Sequence, residues 1–267
     1  MSRSRFPGVL VMAVLFLVAV VWWRGCPESS PSPTRGGLGG SPGESHERGG
    51  QVVASSRAEL RSFNRFVSSD QTTETVSMLM QGRLVRINRA TFELEPWLAE
   101  RWESSEDGRT HTLHLRPGAL WSDGRAFTSS DVLFSLRAAY DPSVKSVVAT
   151  NLMIAGQEIT AAAPDAATVV LSYPAPSGPG LRLLDMLPII PRHKPEAAPS
   201  AGTFAKPWGP SPAPSDFVGT GPFILREYQP GQRLVFDRNP RYWRKAPNGD
   251  ALPYIHSLVL ELIPDQN

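Results

Sequence analysis

A run of 24 residues, Pro27–Gly50, divides this chain: 16 of the 24 are Pro, Ser or Gly, and Leu38 is the one aliphatic side chain among them. Such a stretch buries too little apolar surface to offset the cost of ordering a backbone, about 1–2 kcal/mol per residue. Residues 27–50 read as a flexible tether. Packed structure is expected after it, over 51–267, and residues 1–26 need a separate explanation.

That explanation is a membrane or export signal. Arg3 and Arg5 precede an uncharged apolar run of 17 residues, Pro7–Trp23 (PGVLVMAVLFLVAVVWW). A basic start followed by an apolar stretch is the pattern of a secretory signal. As a helix the run spans about 25 Å, slightly less than a hydrocarbon layer of about 30 Å. Arginines at both ends and the lack of a polar face argue against a buried core helix. Directly after it stands Cys26, the chain's single cysteine. A lone cysteine preceded by Gly25 at this place resembles a bacterial lipoprotein cleavage site, where the cysteine is lipidated. Trp23 and Arg24 depart from the Leu and small residue of that pattern. Three readings stay open: lipidation at Cys26, an uncleaved anchor, or simple secretion. Each puts the remainder outside the cytoplasmic membrane, in the periplasm or on the membrane's outer face, and the tether favours membrane attachment.

Composition removes several functions. Lys and Arg total 27 against 25 acidic residues, a net charge of +2, so there is no electrostatic case for nucleic acid. One cysteine excludes an intrachain disulfide and a thiolate zinc cage. His111 and His114 look like a metal pair, but three residues apart on a strand they face opposite ways. Gly219-Thr220-Gly221 begins like a dinucleotide loop, yet Ile224 stands where a third Gly is required. The sequence has no phosphate-binding loop, and its folded part, 51–267, has no G-x-S-x-G elbow. Asp123 with Asp131, and Glu93 with Glu95, read more simply as caps and turn residues than as acid–base pairs. The chain is not expected to be an enzyme or to need a cofactor or metal.

Periodicity in the folded part gives a mixed α/β domain. QVVAS (51–55) reads as a short buried strand. Thr72 to Leu84 reads as a helix capped by Thr72 or Thr73, with Val76, Leu79, Met80 and Leu84 on one face. RTHTLHL (109–115) alternates as a half-buried strand does. Thr128 and Asp131 have capping-box spacing at the head of a helix striped by Val132, Leu133, Leu136, Ala139 and Tyr140, and stopped by Asp141-Pro142. Strands are expected over 168–173, 223–228, 233–237 and 258–263. Gln229-Pro230-Gly231-Gln232 suits a type II turn between the second and third of these. The Pro-rich stretch 188–214 reads as a long surface loop pinned by Trp208.

The most informative features are ordered aromatic and glycine blocks: PWLAERW (96–102) before Asp107-Gly108, WSDGRAFTSSDVLFS (121–135), LPIIPRHKPE (187–196), VGTGPF (218–223), NPRYW (239–243) and PYI (253–255). In WSDG, Asp-Gly makes a tight turn that Trp121 anchors in the core. Gly219 and Gly221 permit unusual φ or a close backbone approach. Tyr242 and Trp243 read as lids on an apolar cluster.

Taken in order, the blocks resemble the extracellular solute-binding proteins of peptide, dipeptide and nickel ABC importers, family 5, over about 51–267. That resemblance implies a periplasmic-binding-protein type II fold, a two-lobed hinged receptor that closes on its solute. It also implies that this chain is the first lobe, truncated before the second, because family members are roughly twice as long. The expected function is the extracytoplasmic substrate-binding component of an ABC importer. Its partners would be an oligopeptide or similar polar solute, the transporter's permease and the membrane. Alternatives are a sensory or interaction protein on the same fold and an extracytoplasmic hydrolase. The ligand-facing part would include the segment after the first strand, where Ser69, Asp70, Gln71 and Thr72 are the candidate binding residues. The rival reading of Asp70 to Thr73 is a plain helix cap.

Overall fold

The computed structural model describes residues 48–194 and 214–263. The apolar run, Cys26, most of the tether and Trp208 lie outside the described residues. In chain order the elements are β1 (Gln51–Ser56), α1 (Gln71–Met80), β2 (Val85–Ile87), β3 (Leu94–Pro96), β4 (Ala99–Ser104), β5 (Thr110–Leu115), α2 (Ser129–Tyr140), α3 (Ala149–Leu152), β6 (Thr160–Asp165), β7 (Thr168–Ser172), β8 (Phe223–Gln229), β9 (Arg233–Arg238) and β10 (Ser257–Leu262), with 3-10 turns at Gly180–Met186 and Pro214–Asp216.

Two four-stranded sheets carry the fold. One has the order β1-β10-β9-β8, the other β4-β5-β7-β6, and β2 pairs with β3 separately. Neighbours are antiparallel except β1 and β10, which run parallel from Gln51↔Ser257 to Ser56↔Leu262. Each sheet has its own core. On the first, Val76 and Met80 of α1 pack with Leu225, Leu234, Phe236 and Leu260. On the second, Val132 and Leu136 of α2 pack with Leu113, Val169, Leu171 and the fully buried Trp121.

Local chemistry accounts for most boundaries. The Asp131 carboxylate accepts the Thr128 N–H at 2.9 Å, closing the expected box at the head of α2, and Asp141 ends that helix. Gln229-Pro230-Gly231-Gln232 joins β8 to β9 with Gly231 at φ +71° and the Gln232 N–H on Gln229 O at 3.0 Å. Three expectations need correction. β1 is present but not buried: it is an edge strand with a single neighbour, and Val52 and Val53 are 41% and 56% exposed. Helix α1 is capped by Asp70 and not by Thr72 or Thr73, and it ends at Met80, four residues before Leu84, where Gln81 turns extended at ψ 144° and sends Leu84 into the other core.

Gly219 and Gly221 have φ outside the left-handed region, so close approach is their role. A Cβ on Gly219 would sit 1.9 Å from Met80 O, and one on Gly221 2.4 Å from Leu79 O. The Gly221 N–H donates to Met80 O at 2.9 Å, and Gly219 O accepts the Ser122 N–H at 2.9 Å. This short segment therefore stitches the end of α1 to the WSDG turn.

Candidate functional site

Parallel strands point their carboxyl ends the same way, and open α/β sheets place ligands in the crevice beyond those ends. Here Ser56 and Leu262 terminate the parallel pair side by side. From Ser56 the chain runs through 57–70 to the N-terminus of α1. The stretch is anchored at Phe66, which is 1% exposed and whose carbonyl accepts the Val147 N–H at 2.8 Å.

The four candidate residues take different positions. Asp70 caps α1: Oδ1 accepts the Thr73 N–H at 2.9 Å, and Oδ2 accepts the Ser68 and Thr73 hydroxyls, each at 2.6 Å. Burial pushes its carboxyl upward, but the Ser68 and Thr73 hydroxyls and the Thr73 amide outweigh this and hold it below the usual range. Thr72 is buried and turns inward, its Oγ1 donating to Ala58 O at 3.0 Å and lying 3.0 Å from Ser56 Oγ. Ser69 and Gln71 are exposed.

Beneath this segment lies a polar cluster that sequence reasoning did not find. Glu74 on the first turn of α1 pairs with Arg65, and one of its oxygens lies 3.7 Å from Arg83. Arg65 also donates to Ser68 O at 3.1 Å, so the pair fixes the approach to Asp70. Arg83 is 6% exposed and donates to Asp185 O at 3.1 Å and Ser77 Oγ at 2.9 Å. Burial lowers its pKa to about 10, against the upward pull of Glu74 and Asp185. The three residues are 9 apart in sequence at each step, a spacing with no local meaning, so no sequence signal marked them.

The signature blocks meet around α2. Asp131, 3% exposed, accepts the Arg192 N–H at 3.0 Å and the Trp121 indole N–H at 3.4 Å. One residue on, His193 Nε2 lies 2.7 Å from Asp123 Oδ2, and its ring sits edge-on to Trp121 with centroids 6.0 Å apart. Burial acts upward on the Asp123 carboxyl, but the Arg125 amide and His193 bring it below the usual range. The pairing of WSDG with His193 of the LPIIPRHKPE block is thus a scaffold contact. His111 and His114 do face opposite ways: His111 is buried against Tyr173 and Ser104 Oγ, while His114 Nε2 lies 3.5 Å from Glu103 on the other side. No helix among the described residues is long and apolar enough to cross a membrane.

The architecture defines a class, the type II periplasmic-binding-protein fold. In solved structures it matches the Bacillus subtilis oligopeptide-binding protein AppA in complex with a nonapeptide, with a TM-score of 0.68 at 21% identity over 82% of this chain and 41% of that one. It also matches the Helicobacter pylori ABC transporter-associated periplasmic binding protein DppA in complex with the peptide STSA, with a TM-score of 0.67 at 26% identity over 82% of this chain and 44% of that one. The family profile "Bacterial extracellular solute-binding proteins, family 5 Middle" matches residues 93–267, and the chain belongs to that family. The dipeptide-binding protein of Escherichia coli K12 is 30% identical over 231 residues, 80% of this chain and 41% of that protein. A probable ABC transporter-binding protein of Deinococcus radiodurans is 28% identical over 230 residues, 83% of this chain and 38% of that protein. The chain spans about two fifths of the length of these relatives.

Proposed function

We propose that this chain forms the first lobe of a non-enzymatic extracytoplasmic receptor, organised as residues 1–26 signal or anchor, 27–50 tether and 51–267 lobe. The receptor delivers oligopeptides or a similar polar solute to an ABC permease. One observation carries the reading. In a member of this family, the carboxyl ends of β1 and β10 open beside a polar segment whose cap, Asp70, is locked while Ser69 and Gln71 stay exposed. Short hydroxyl and amide groups at that place can bond a peptide backbone without selecting a side chain. Relatives named as dipeptide-, di/tripeptide- and oligopeptide-binding proteins support the peptide class. Lipidation at Cys26 would attach the lobe to the membrane.

Peptides carried by the receptor purified with both of its lobes, extracted and identified by mass spectrometry, test the reading. Intact short peptides are expected, and Ser69→Ala/Gln71→Ala should retain at least fivefold less at equal protein. Cleavage products from added peptides would reject the non-enzymatic role, and a chain that retains no peptide would reject the solute class. Genes for a permease and an ATPase are the expected neighbours; a sensor kinase in their place would favour a sensory receptor.

A further inference from the structure

The inward row of β5 holds one residue that its polarity would place elsewhere. Along Thr110–Leu115 burial alternates, and positions 111, 113 and 115 turn into the core of the second sheet. Leu113 and Leu115 fill two of them, and His111 fills the third at 5% exposed. β5 is an inner strand between β4 and β7, with His111 opposite Ser104 on one and Leu171 on the other. Its Nδ1 lies 2.8 Å from Ser104 Oγ. The ring meets that of Tyr173 with centroids 4.5 Å apart and planes at 63°. Nε2 is shielded from solvent and has no hydrogen-bond partner.

A neutral imidazole tolerates that place, with a hydroxyl on one nitrogen and an aromatic ring beside it. An imidazolium does not. It carries a second N–H that finds no acceptor, and it brings a full charge into an apolar layer. No counter-charge faces it. From β4 the ring meets the Ser104 hydroxyl, while the neighbouring Glu103 lies with His114 on the other face. From the end of β7 it meets Tyr173, which burial pushes up and keeps neutral, and which itself feels Tyr140 of α2. On the turn before β5, Glu106, Asp107 and Arg109 are exposed, with the Asp107 carboxylate turned to Ser105 Oγ and the Arg109 amide. Burial lowers the pKa of His111, the Gly108 backbone acts upward without offsetting it, and no charged group contributes.

We propose that His111 is an acid-sensitive switch in the second sheet: neutral, it completes the inward row of β5; protonated, it loosens β5 from β7 and from Tyr173. The two strands face each other from Thr110↔Ser172 to His114↔Thr168. Tyr173 carries the effect onward, since its N–H donates to Arg109 O at 2.7 Å and its hydroxyl to Gly180 O at 3.3 Å, at the head of the 3-10 turn. Because the folded state favours the neutral ring, the contribution of His111 is complete above about pH 6.5 and is lost as pH falls through the lower folded value. The proposed extracytoplasmic place would expose this switch to the acidity of the medium. The switch itself rests neither on that reading nor on Ser69 and Gln71.

Hydrogen exchange followed by mass spectrometry, on the full chain in uncharged detergent micelles at pH 7.5 and 5.5, tests it, with each rate corrected for the intrinsic effect of pH. Across that range protection over 110–115 and 168–173 should fall at least threefold in wild type, against a ceiling of about tenfold per pH unit below 6.5. His111→Phe, which keeps a ring beside Tyr173 and takes no proton, should hold within about 1.5-fold. His114→Gln, which removes the other histidine of β5, should keep the wild-type fall. No fall in wild type, an equal fall in His111→Phe, or a fall abolished by His114→Gln overturns the proposal. Proton NMR of the wild-type histidine rings carries the test should His111→Phe fold poorly by near-UV circular dichroism. His111 should titrate below about pH 6.5, with the Tyr173 ring signals moving at the same midpoint. A midpoint at or above that value, or Tyr173 signals that do not follow, overturns it.

Discussion

Asp131 holds together residues from two separated blocks, Trp121 and Thr128 of the first and Arg192 of the second, through one buried carboxylate. An amide of the same shape turns an NH₂ toward one of these donors, so Asp131→Asn should cost about 1–2 kcal/mol in urea unfolding at pH 7, and Asp131→Ala about 2–4 kcal/mol. Asp70 is a lesser cap on a partly exposed edge. Asp70→Ala should cost about 1 kcal/mol at neutral pH. Because the folded state holds this carboxyl below its ordinary value, its contribution is present above about pH 4 and is lost as pH falls through the lower folded value. The gap between wild type and Asp70→Ala should accordingly narrow in unfolding curves taken from pH 5 to pH 2.5. A gap that widens would contradict the assignment. The sequence could show that Asp70 and Thr72 stand at a helix start. It could not show that Thr72 turns to Ala58 O while Ser69 and Gln71 face outward, because that follows from how α1 is docked rather than from residue type.

Elements with a local chemical signature were legible at close to their true bounds. Helix α2 begins at a box made by Thr128 and Asp131 and ends at Asp141, and the β8–β9 hairpin is fixed by Pro230-Gly231. β2, β3, β4 and β6 (VRI, LEP, AERWES, TAAAPD) carry no such mark, since they are short or charged and owe their extension to pairing with an adjacent strand, not to their own pattern. The GTG segment was legible as glycine-dependent, though its partner, the end of α1, was not. Gly219→Ala would drive a methyl into the Met80 carbonyl, backbone that cannot swing aside. It should destabilise the protein by more than about 3 kcal/mol, or abolish folding. Gly178→Ala, where the new Cβ meets nothing within 4 Å, should stay within about 0.5 kcal/mol; denaturant midpoints compare the two.

Across the whole molecule the resemblance reached the family and the fold, while a cluster of arginines and tryptophans escaped notice. Its members come from two separate stretches, Arg86, Trp97 and Arg116 from one and Trp243 and Arg244 from the other, and form no run of charge. Burial of β1 was misread for a related reason, since period and composition cannot say whether a strand has one neighbour or two. Amides of β1, paired on one side, should exchange with deuterium faster than those of β9 and β10, which are covered on both. Exchange followed by mass spectrometry over peptides spanning 51–56 and 233–262 checks this, and equal protection would argue for cover over Val52 and Val53.

The parallel pair has a mechanical consequence. The chain enters β1 at Gln51 and leaves β10 after Leu262, at opposite ends of one ladder. Tension applied to the chain before Gln51 and after Leu262 therefore pulls the two strands lengthwise past each other. Slanted hydrogen bonds shared along six facing residue pairs must then yield together and not one at a time. β1 would slip from β10 only under a force that ruptures the whole seam.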